Sequence, residues 1–100
     1  MEMPIQLYAL IWSNEDNQAI QAWQEEHAER VMITGWSRVL LEPLHKAVND
    51  PNIFGMNIDG VVVRDHSLAT PSALEETLKK LKSGTLKLYS VKNGLEPVTL

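Results

Sequence analysis

Apolar and polar positions alternate from Ile5 to Trp12. Ile5, Leu7, Ala9 and Ile11 interleave with Gln6 and Tyr8, and both faces turn apolar at Leu10 and Trp12. A period of two is the pattern of a strand, and a strand apolar on both sides toward its end predicts an interior place in a sheet. The period then changes. From about Asn14 to Met32, Ile20, Trp23, His27 and Val31 share one face at helical spacing. Ser13 or Asn14 supplies the N-cap, Glu15 and Asp16 fall in the first turn, and Thr34-Gly35 reads as the stop.

Trp36 to Asn49 admits two readings: one helix kinked at Pro43, or a short strand (Trp36 to Leu41) followed by a helix with Pro43 at its first position. Asn49-Asp50-Pro51-Asn52 is a loop on either. Ile53 to Asp65 is β-rich, with Asp59-Gly60 as a hairpin turn or Gly60 as a bulge. Thr70 to Gly84 carries every mark of a helix. Thr70 caps, Pro71 leads, Leu74, Leu78 and Leu81 form a stripe, and Lys79, Lys80 and Lys82 gather late. Asn93-Gly94 between Leu86–Val91 and Leu95–Leu100 predicts a closing hairpin, with Pro97 placing the last strand at an edge.

These elements predict a single α+β domain spanning residues 1–100, with a small antiparallel or mixed sheet and two to three helices packed on one face. If Trp36 to Leu41 is a strand, the order becomes the ferredoxin-like βαββαβ with an extra C-terminal hairpin strand. Neither arrangement fixes a function.

Composition narrows the chemistry. With 44% hydrophobic and 22% charged residues the chain is that of an ordinary soluble globular domain. It has no cysteine, which excludes disulfides, thiolate metal sites and thiol nucleophiles. The acidic Met1-Glu2-Met3-Pro4 lacks the basic start of a signal peptide, and the longest apolar run, Leu7 to Trp12, falls far short of a membrane span, so a cytoplasmic setting is expected. The net charge of −4 is unevenly placed: seven acids against Arg30 and Arg38 up to residue 45, six acids against seven bases beyond it.

Candidate chemistry is sparse. His27, His45 and His66 lie 18 and 21 positions apart without ligand spacing. Glu42-x-x-His45 is half of a two-copy di-metal pattern, so no metal or cofactor site is expected. His27 shares the apolar seam with Trp23 and is either a base above an indole or a packed core histidine. Asp65-His66-Ser67 offers acid–base and nucleophilic side chains at a strand end, though turn chemistry ahead of Thr70 accounts for it better. No phosphate-binding motif occurs, and at Trp12-Ser13-Asn14 the nearby Glu15 and Asp16 would repel an anion. Lys79, Lys80, Lys82, Lys87 and Lys92, with Tyr89, could meet nucleic acid, but Glu75–Lys79 and Glu76–Lys80 are spaced to pair internally and a solvated face is expected.

Glu15, Glu25, Glu26 and Glu29 occupy one arc of the first helix with only Arg30 among them. The function expected from the sequence is therefore a non-enzymatic protein-binding module, of the small acidic inhibitor or regulator type, docking a basic protein through that arc. The alternative is a small ligand-binding domain or enzyme using His27 or the Asp65/His66 loop. The acidic helix and the lysine cluster are complementary in sign, which also admits a homo-oligomer.

Overall fold

The structure is a computed structural model that describes residues 4–39, 42–48, 58–68, 70–83 and 86–99. In chain order it forms β1 (Ile5–Ile11), α1 (Asn14–Glu26), β2 (Val31–Arg38), α2 (Leu44–Ala47), β3 (Gly60–Val63), α3 (Pro71–Ser83) and β4 (Lys87–Ser90), with short 3₁₀ turns at His66–Leu68 and Val91–Asn93. No described helix is long and apolar enough to cross a membrane.

The domain joins helices to one four-stranded sheet, as the sequence predicts, but the sheet is parallel throughout rather than antiparallel or mixed. Its order is β2-β1-β3-β4. The helices also cover both faces, not one. Ile20 and Trp23 of α1 pack on Leu7, Ala9, Ile11, Val31, Val62 and Tyr89. Ala47 of α2 and Leu81 of α3 pack, with Val48, on Tyr8, Leu10, Val61, Val63 and Leu88. The order strand, helix, strand is what forces this arrangement. A parallel neighbour needs a long crossover; the chain steps one way from β1 to β2 and the other way from β2 to β3, and crossovers of one hand that run in opposite directions land on opposite faces. This is a doubly wound sheet, not the ferredoxin-like arrangement, and β1 holds the interior position its two apolar faces predict.

Three local expectations are corrected with it. The first helix stops at Glu26 instead of Met32. His27 closes it, its N–H donating to the Trp23 and Gln24 carbonyls, and its own carbonyl accepts from Arg30 and Val31. Val31 continues the helical seam by number, yet it starts β2, and Thr34-Gly35 lies inside that strand at an irregularity in its register with Leu7 and Tyr8. The β-branched run Val31, Ile33 and Thr34 suits a pleated surface better than a helix end. Trp36 then belongs to a strand, which favours the strand-plus-helix reading of that region, with Pro43 one place earlier, at the N-cap of α2. The expected C-terminal hairpin is absent among the described residues. Asn93 ends a 3₁₀ turn capped by Gly94 at φ +66°, and Leu95–Thr99 forms no strand, although Val98 N–H donates to the Leu88 carbonyl at 2.7 Å.

Gly60 opens β3 and does not turn a hairpin. A β-carbon there would lie 2.3 Å from the Lys87 carbonyl oxygen, so glycine is what lets β3 and β4 approach at this point. The loop expected at 49–52 and the apolar pair Ile53-Phe54 lie outside the described residues. α3 starts as predicted: Thr70 Oγ1 accepts the Ala73 N–H at 3.2 Å, Pro71 leads, and Leu81 is fully buried; the stop expected at Gly84 lies outside the described residues.

Candidate functional site

β1 and β3 are adjacent and parallel, and the chain leaves their C-terminal ends toward opposite faces of the sheet. The loops diverge there, and a crevice opens. Such switch points are where open parallel sheets bind ligands. In this chain the crevice has a volume of about 570 Å³. Trp12, Ser13 and Asp16 enter it from the β1–α1 junction, Val63, Arg64 and Asp65 from the end of β3. Glu42, Pro43, Leu44 and His45 come from the α2 segment, and Thr70 and Ala73 from the start of α3.

The β1–α1 junction is built around one carboxylate. Ser13 caps α1 and Asp16 sits at the third helical position, each side chain meeting the other's backbone N–H. Asp16 Oδ2 accepts the N–H groups of Trp12 at 2.8 Å and Ser13 at 3.1 Å, while Oδ1 receives Arg64 Nε at 2.7 Å. Arg64 reaches past it to Glu15 Oε2 at 3.2 Å. Asp16 is only 5% exposed, so removing Arg64 would leave a buried carboxylate without its counter-charge. The anion position at the start of α1 is thus filled from within the chain, as the acids Glu15 and Asp16 lead one to expect.

The rest of the wall is apolar with a polar rim. The Trp12 indole N–H donates to the Glu42 carbonyl at 2.7 Å, tying the end of β1 to the approach of α2. His45 lies 3.9 Å from Glu76, and its Nδ1 is buried with no partner among the described residues. Asp65 accepts from the Ser67 hydroxyl at 2.6 Å and the Ser67 N–H at 2.9 Å, and it pairs with Lys92 at 3.2 Å. The Ser67 hydroxyl, opposed next by burial and then aided by the Ser67 N–H and Lys92, lowers the Asp65 carboxyl to about 2. A carboxylate so weakly basic is a poor general base near neutral pH.

No triad forms. Ser67 donates its hydroxyl to Asp65, and the His66 N–H donates to Ser90 Oγ. His66 Nδ1 is buried without a partner among the described residues. Asp65-His66-Ser67 is a side-chain-stapled turn, of which Asp65 alone faces the crevice. His27 lies at the opposite end of α1, edge-on to Trp23 with ring centres 5.8 Å apart, and takes no part in the crevice. Trp23 itself is committed, its indole N–H donating to the Gly94 carbonyl at 3.1 Å. Among the described residues no group of three His, Asp or Glu side chains could hold a metal ion.

The acidic arc divides in the same way. Glu15 belongs to the Arg64 network. Glu25 and Glu26 stand exposed in the last turn of α1, and Glu29 is exposed in the turn beyond it, off the helix. Of the lysines, Lys79 and Lys80 pair with Glu75 and Glu76 one turn back, as their spacing predicts, and Lys92 pairs with Asp65.

Trp12, Arg64 and His45 are the crevice residues that the sequence does not single out as a group. Their signal is the end of one interior strand, the end of another and the polar side of a short helix. These three become one site only once the strands are known to be adjacent and parallel. Comparison with known protein families, curated proteins and solved structures finds no match to the chain.

Proposed function

We propose that this domain binds a small organic molecule in the crevice at the C-terminal ends of β1 and β3. The observation that carries the reading is the placement of a cavity of about 570 Å³ at the point where the strand order reverses. Its volume falls within the range of small-molecule sites, and its composition has their character, a largely apolar wall with a few polar groups. Trp12, Leu44 and Val63 supply apolar surface, and the Arg64–Asp16 pair fixes the wall rigidly. His45, whose Nδ1 is buried with no partner among the described residues, supplies a polar group to the wall. The reading is one of binding, not catalysis: Asp65 and Ser67 are committed to each other.

A protein-observed NMR screen of small aromatic and aliphatic fragments tests it. Hits are expected to shift the amides of Trp12, Leu44, Val63 and Ala73 together. Hits that gather elsewhere, or none at all, would contradict the reading.

A second reading keeps the docking of a basic protein by α1. It is favoured by Glu25 and Glu26, which stand exposed with no ion pair among the described residues. Replacing both with lysine is expected to leave melting within about 0.5 kcal/mol of the parent, as for exposed sites generally. It should also abolish any salt-sensitive association with a basic protein; retained association counts against that reading.

A further inference from the structure

The same crevice also selects its ligand by charge, and this inference rests on the small-molecule reading above. In parallel sheets of this kind a ligand's phosphate or carboxylate sits on the free amides that open the first helix. Here the Asp16 carboxylate already stands at that position, taking the N–H groups of Trp12 and Ser13 just ahead of the helix, while Ser13 Oγ accepts the Asp16 N–H of its first turn. The guanidinium among the described residues of the wall, Arg64, is engaged by Asp16 at 2.7 Å and Glu15 at 3.2 Å. What remains is acidic. Among the described residues the wall holds Asp16, Glu42 and Asp65 against Arg64, an excess of two negative charges, and the flanking Glu15 and Lys92 cancel.

The geometry points to a planar, phosphate-free ring compound that is neutral or carries a single positive charge, its ring against Trp12 and Leu44. Aromatic faces attract cations, so the indole and the acidic rim act in the same direction. A nucleotide, a sugar phosphate or an aryl carboxylate would bring negative charge beside the Asp16 carboxylate and to an arginine already paired.

Benzamidine, benzamide and benzoate share one size and planarity and carry +1, 0 and −1, so titrating each by NMR reads charge alone. Benzamidine is expected to bind at Trp12, Leu44 and Val63 about tenfold more tightly than benzoate, with benzamide between them, and high salt should narrow the gap. Glu42 is exposed, so Glu42→Gln should fold normally and narrow the gap to about threefold by removing half the charge excess. Benzoate binding the crevice as tightly as benzamidine would overturn the inference and leave the small-molecule reading standing. So would a gap unchanged by salt or by E42Q, or three silent probes alongside fragments from the wider screen that do bind there. If no fragment of any charge binds the crevice, both fail.

Discussion

Asp16 and Asp65 stand in one cavity wall but are held by different means. Asp16 is enclosed by two backbone donors and a guanidinium, and a buried donor left unpaired costs about 1–3 kcal/mol, so the β1–α1 junction is kept closed by its own carboxylate. Asp65 depends on the Ser67 hydroxyl, with Lys92 behind it. These contacts lower its pKa from the ordinary 3.8 to about 2, which means that folding favours the ionised form. A depressed carboxylate stabilises fully above its unfolded pKa and loses that contribution as pH falls through the folded one. Between about pH 4 and pH 2 the parent should therefore lose stability that Asp65→Asn never had. Urea midpoints for the two proteins should converge as the pH drops through that window, and a gap independent of pH would contradict the assignment.

At the scale of elements, α3 is legible because its signals agree. Thr70, Pro71 and the leucine stripe all indicate one helix with one start. α1 is legible at its start and not at its end. The capping box Ser13-x-x-Asp16 fixes the first turn, whereas the apolar seam runs on by coincidence from Trp23 through His27 to Val31. Helical periodicity cannot register that the chain has turned at residues 27–30 and begun a strand whose first inward residue falls on the same count. The short strand β3 turns on a single residue. Gly60→Ala would place a methyl against the Lys87 carbonyl, backbone on backbone, where neither side yields cheaply. The expected loss is about 1–3 kcal/mol, read as a lower urea midpoint; an unchanged midpoint would show that β3 and β4 do not approach here as described.

For the whole molecule, topology is what the sequence conceals. Val61-Val62-Val63 and Leu7 to Ile11 are continuous apolar runs, and both strands are buried from both sides. Runs of this kind are the mark of parallel sheets covered by helices on each face. The Asn93-Gly94 and Asp59-Gly60 pairs pull the other way, because each is also a strong hairpin signal. Only one of those glycines adopts positive φ, at Gly94, and it lies in a turn beyond β4. Once the sheet is read as antiparallel, no switch point exists, and Trp12, His45 and Arg64 remain three unrelated residues. The occupied anion cradle at Asp16, by contrast, depends only on local spacing and is legible without the fold. Charge patterning alone directs attention to α1, of whose acids Glu15 borders the crevice while Glu25 and Glu26 lie at the far end of the helix.

The central claim is that the crevice between the ends of β1 and β3 is a binding site. Ala73 lines it from the first turn of α3, and its side chain is only half-buried, so Ala73→Phe fills the space without displacing the core. The decisive measurement is a pair of NMR titrations, parent and A73F, with the tightest fragment found. The shifts at Trp12, Leu44 and Val63 are expected to vanish in A73F while its melting temperature stays near that of the parent. Undiminished binding by a folded A73F protein would contradict it.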